Sequence, residues 1–143
     1  MSNIYIVGVD GAQQSSRAVD FAAALAKKSG AQIHLVQVIE WSPYSFHTPQ
    51  ELAERHGRRE QELARALGMV QPLADKLIKE GITATCEARH GHVGDLLCKI
   101  ATEKNAEQII IGRTGDSALA QRLLGGVAIT LAQAAPVPTT IVP

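Results

Sequence analysis

Aromatic residues make up only 3% of this 143-residue chain, which leaves few platforms for stacking unpaired bases. Charge of one sign is missing too. Fourteen Lys plus Arg face 14 Asp plus Glu, so no cationic surplus draws in a polyanion, and nucleic acid is not an expected partner. No apolar run approaches the roughly 20 residues of a membrane span, and Ile4–Val9 meets Asp10 too soon to be the core of a signal peptide. A cytoplasmic chain without a membrane partner is the expectation. Cysteine is scarce: Cys86 and Cys98 form no C-x-x-C pair and are expected to be free thiols packed in the core. Enzyme signatures are absent as well. There is no G-x4-G-K-[ST] loop, no G-x-S-x-G elbow and no base or metal-carboxylate pair suited to fast phosphoryl transfer. Gly8 and Gly11 do not complete G-x-G-x-x-G.

What is present is globular. Hydrophobic residues reach 45% and charged ones 20%, and the length suits a single domain over 1–143. Short apolar runs alternate with helical patterns, the signature of βαβ units and a parallel sheet. Ile4–Val9 reads as a first strand covered on both faces. Ser15 or Ser16 caps a helix that buries Val19, Ala22, Ala23 and Ala26 before Gly30 stops it. Ile33–Ile39 is the second strand. Gln50 to Lys79 reads as a long charged helix that Gly57 and Gly68 can bend and Pro72 can break. Thr83–Ala88 is a third, more polar strand suited to a sheet edge; Val93 to Glu103 is a helix, and Gln108–Ile111 the fourth strand.

The next stretch carries the chemistry. Ile109-Ile110-Ile111 runs into Gly112-Arg113-Thr114-Gly115, nine residues follow, and Gly125-Gly126 is read as opening a helix that ends before Pro136. A glycine turn after a strand lets backbone approach a ligand, and a glycine pair at a helix start offers unpaired N–H groups and the positive end of the dipole. Taken singly, each glycine could merely shape a turn; their joint spacing is what points to a phosphate.

The spacing G-x2-G-x9-G resembles the nucleotide motif of the universal stress protein family. Ile4–Asp10 resembles that family's first strand with its terminal aspartate, and Pro136 to Pro143 its last strand, so the likeness covers essentially the whole chain. It implies an open five-stranded parallel α/β sheet in the order 3-2-1-4-5, Rossmann-like, with helices on both faces. It implies a stress-response regulatory protein, not an enzyme beyond very slow hydrolysis, that binds ATP or AMP, alone or with a divalent metal ion such as Mg. In the nucleotide-binding branch the adenosine roles fall here on Val9, Asp10 and Val38, and the phosphate roles on Gly112, Arg113, Gly115, Gly125, Gly126 and Val127. A homodimer through the last strand is implied as well.

One residue departs from the motif. Gly126 stands where the family has Ser or Thr, which removes a hydroxyl donor worth about 1.5–3 kcal/mol, or roughly ten- to a hundredfold in affinity. The backbone donors at Gly126 and Val127 remain, so weakened binding is the expectation, with a nucleotide-free dimeric scaffold that docks a partner protein as the alternative. A receiver-type phosphoacceptor fits less well, because Ala88-Arg89-His90 stands where the acceptor aspartate belongs. His90, His92 and Asp95 have metal-ligand flavour, but Asp95 is already explained as a first-turn acid of a helix. His34, His47 and His56 have no partner legible in sequence.

Overall fold

The computed structural model describes residues 3–9, 16–40, 49–112 and 118–143. Five strands, β1 (Ile4–Val9), β2 (Gln32–Ile39), β3 (Ala84–His90), β4 (Gln108–Gly112) and β5 (Thr139–Val142), form one sheet in the order β3-β2-β1-β4-β5. Every pairing is parallel. The helices are α1 (Ser16–Ser29), α2 (Pro49–Lys79), α3 (Val93–Glu103) and α4 (Ala118–Ala134).

Because side chains alternate along a strand, the apolar runs feed two cores at once. Tyr5, Val7, Leu35 and Ile110 pack against Val19 and Ala22 of α1 and against Val70, Ala74 and Leu77 of α2. Ile6, Val36, Val38, Ile109 and Ile111 pack on the other side with Leu97 and Ile100 of α3 and Val127 and Leu131 of α4. The four α1 positions expected to face inward are all buried. As expected, β3 is an edge strand, although it begins at Ala84 and runs on to His90.

Helix α2 does not break at Pro72, which lies inside it. Proline removes one N–H and crowds the carbonyl four residues back, at a cost of about 3 kcal/mol. That carbonyl belongs to Gly68, which is exposed like Pro72 and so open to water. Val70, Ala74 and Leu77 are buried on the opposite side, and sealing a Val and a Leu contributes about 1.5–3 kcal/mol each, enough to hold the helix through the proline. The helix ends at Lys79, and the turn after it passes through Gly81, whose φ of 87° suits glycine; the Gly81 and Ile82 N–H groups donate back to the carbonyls of Ile78 and Leu77.

Helices α3 and α4 meet at Gly94. A Cβ there would stand 2.7 Å from Thr130 Cγ2 and 2.8 Å from Thr130 Cβ, and the latter cannot rotate away. Gly94→Ala should therefore pry the helices apart and destabilise the fold by about 1–3 kcal/mol, read as a lower urea midpoint. An unchanged midpoint would contradict this packing.

Candidate functional site

The strand order reverses between β1 and β4, and ligands of open α/β sheets occupy the crevice beyond the carboxyl ends of strands at such a reversal. The register pairs Val7 with Ile110, which brings Val9 level with Gly112 on the neighbouring strand. On the other side Val9 pairs with Gln37, one residue before Val38. Three of the expected site residues, Val9, Val38 and Gly112, thus come together at adjoining strand ends. Val9 and Val38 are buried on opposite faces of the sheet, and Val127 of α4 is buried in the same core as Val38. Asp10, Arg113 and Gly115 lie outside the described residues.

The glycine pair is placed differently from the expectation. Helix α4 starts at Ala118, so Gly125 and Gly126 lie about two turns inside it and do not form its first turn. The reason is local propensity: Ala118-Leu119-Ala120-Gln121-Arg122-Leu123-Leu124 contains only good helix formers and no breaker. In a continuous helix the Gly126 N–H is committed to a carbonyl four residues earlier and is not free for a ligand. Two successive glycines cost a helix about 1 kcal/mol each, which makes this the weakest point of α4. Gly126 is exposed, and a Cβ added there would meet nothing within 4 Å.

The histidine and aspartate after β3 do not converge. His90 Nε2 lies 3.3 Å from the Arg59 carbonyl oxygen and 3.9 Å from a Glu62 carboxylate oxygen, both on α2. His92 and Asp95 are exposed at the start of α3. Both cysteines are free thiols, half-buried, and pack against the cores as expected, Cys86 on one side of the sheet and Cys98 on the other. Burial raises both thiols above their ordinary value of 9.0, and Asp75 beside Cys86 and Asp95 beside Cys98 add to it.

Sequence reasoning missed a second polar group. His34 of β2, 4% exposed, stands opposite Thr85 of β3, and its Nδ1 is 2.6 Å from Thr85 Oγ1 while its Nε2 is 2.5 Å from Glu87 Oε2. Glu87 is also paired with Arg89, whose guanidinium reaches Glu103 Oε2 at 3.1 Å. Burial holds His34 below its ordinary value of 6.5 despite the Glu87 carboxylate, because that charge is shared with Arg89, and Arg89 and Lys104 oppose a further cation. Burial pushes Glu87 upward, but the hydrogen bonds from His34 and Arg89 outweigh it and hold the carboxyl below 4.5.

A pH dependence follows. Below pH 6.5 the unfolded chain takes up a proton at His34 that the folded chain refuses, so stability declines as pH falls. The contribution of Glu87 is present above 4.5 and is lost as pH falls through its lowered value, in the same direction. Above pH 9.0 the folded thiols retain protons that unfolded ones release, so stability declines again. Urea midpoints should fall as pH drops below 6.5, and this slope should flatten in His34→Gln. A midpoint that rises on acidification would contradict the assignment.

Comparison with known proteins agrees with this architecture. The model of the universal stress protein family matches residues 1–143. A universal stress protein of Methanocaldococcus jannaschii is 27% identical over 150 aligned residues, spanning 98% of this chain and 83% of that protein. The structure of UspA from Lactobacillus plantarum matches with a TM-score of 0.81 at 17% identity, covering 99% of this chain and 97% of that one. A universal stress protein solved in complex with cAMP matches with a TM-score of 0.68 at 23% identity, covering 99% of this chain and 97% of that one. With its full length matched by the family model and its strands in the order 3-2-1-4-5, this chain belongs to the universal stress protein family.

Proposed function

We propose that this chain binds an adenine nucleotide, ATP or AMP, at the carboxyl ends of β1, β2 and β4, and acts as a cytoplasmic stress-response regulator. The observation that carries this reading is the alignment of Val9 with Gly112 at the strand reversal, with Val38 beside them. Family structures in complex with cAMP, dAMP and AMP support the adenosine part of the proposal. In this reading adenosine lies against Val9, Asp10 and Val38, and phosphates lie against the Gly112-Arg113-Thr114-Gly115 segment. Segment 118–124 gives way at the glycine pair, freeing the Gly126 and Val127 N–H groups as donors. A divalent ion such as Mg would accompany ATP through the phosphates.

Calorimetric titration with ATP, ADP and AMP tests the proposal. Saturable binding of at least one of them at millimolar ligand or tighter is expected, with no turnover faster than about one per second, a rate ordinary enzymes reach. Absence of binding by all three refutes the reading. It would favour a dimeric scaffold that docks a partner protein, a second reading that rests on the missing hydroxyl at Gly126 and on the enclosure of the glycine pair within α4.

A further inference from the structure

We propose that Thr85 is an activated nucleophile, with His34 as its base and Glu87 as the positioning carboxylate, and that it accepts an acyl group from small activated esters. None of Thr85, His34 and Glu87 belongs to the residues proposed to hold nucleotide, although Arg89 pairs with Val38 across β2 and β3. A hydroxyl within reach of a base that a third group orients is the general arrangement of nucleophilic catalysis. Here the hydroxyl and the carboxylate both come from β3, two residues apart on one face, and His34 of β2 stands opposite Thr85 and bonds both.

The proton inventory fits the role. Glu87 is anionic and only accepts, so His34 Nε2 must carry the proton it donates. The neutral ring then presents the Nδ1 lone pair to Thr85, which donates its hydroxyl proton over 2.6 Å. Arg89 and Glu103 hold Glu87 in place from outside, and burial, with the charges of Lys104 and Arg89 added to it, keeps the ring neutral and available as a base. Thr85 itself is exposed, so a reagent can reach it.

The edge of the sheet supplies a donor for the developing oxyanion. The Ile33 N–H donates to the Thr83 carbonyl, so Thr83, Thr85 and Glu87 turn their backbone groups toward β2. Ala84, Cys86 and Ala88 turn theirs outward along the outer edge of β3. The Cys86 N–H, which follows the nucleophile in the chain, is therefore directed away from the ladder.

In the step proposed, Thr85 Oγ bonds to the ester carbonyl carbon while its proton passes to His34 Nδ1. The carbon to leaving-oxygen bond then breaks and the proton passes from His34 to the leaving group. The products are an acyl ester on Thr85 and the free alcohol.

The full-length protein is treated with p-nitrophenyl acetate, washed with neutral hydroxylamine to strip thioesters from Cys86 and Cys98, and mapped by peptide mass spectrometry. Acetyl is expected on Thr85 at least about tenfold faster than on Thr83, an exposed threonine just ahead of β3, with a rate that rises with pH through the His34 titration. Thr85→Val should lose the label and Thr85→Ser keep it. His34→Gln and Glu87→Gln should each slow labelling about tenfold or more with far-UV circular dichroism unchanged; if His34→Gln does not fold, Glu87→Gln carries the test. Labelling of Thr85 no faster than Thr83, or a wild-type rate in a folded His34 or Glu87 variant, overturns the proposal.

Discussion

Gly112→Val is expected to lower nucleotide affinity by at least about a hundredfold, or about 2.8 kcal/mol, while leaving the fold intact. Gly112 is the last residue of β4, half-buried and paired with Val142, and valine is well suited to a strand. What valine removes is space: a branched side chain would occupy the point where backbone and phosphate must approach each other. The matching gain is expected at Gly126. A side chain there meets open space, but it also stiffens α4 against the opening that binding requires, so Gly126→Ser must be judged against Gly126→Ala. The serine variant should bind ATP about tenfold or more tightly than the alanine variant, because the two share the stiffening and differ in one donor to a charged acceptor. Equal affinities would remove the hydroxyl from the account, and undiminished binding by Gly112→Val would remove β4 from the site.

Ile141→Lys is expected to convert a dimer into a monomer. Strand β5 forms one edge of the sheet, is uncharged, and leaves Ile141 44% exposed, with Ile129 of α4 59% exposed. Such an edge invites pairing, since it lacks the lysines that usually protect a free strand. Pairing with a twofold-related copy would satisfy both edges at once, and a lysine at 141 would put like charges together near the axis. We therefore expect light scattering to give a dimer for the natural chain and a monomer for the variant at matched concentration. A natural chain that is monomeric at tens of micromolar would contradict this, because weaker association corresponds to only about 6 kcal/mol.

The parts of the fold legible in the sequence were those in which a single physical pattern acts alone. The continuous apolar run of β1 and the inward stripe of α1 fall where burial requires them. Where two local effects oppose each other, sequence was a poorer guide. Pro72 can break a helix, yet its exposed side and the buried Val70 and Leu77 decide the outcome. The pair Gly125-Gly126 looks like a helix start, yet seven strong helix formers ahead of it extend α4 to Ala118. His34 was illegible for another reason. Thr85, Glu87 and Arg89 already alternate along one strand, but only the register of β2 on β3 reveals that a histidine stands between the first two. In the candidate site, the placing of Val9 and Gly112 at the ends of neighbouring strands follows from the strand order that the resemblance implies.

Nucleotide bound at the reversal between β1 and β4 would be seen residue by residue in backbone amide shifts during an ATP titration. Saturable shifts are expected at Val9, Val38, Gly112, Gly126 and Val127, with Gly126 and Val127 among the largest because in the proposed complex their N–H groups leave the helix to reach phosphate. Shifts that avoid these residues and gather elsewhere, or a spectrum unchanged at millimolar ATP, would contradict binding there.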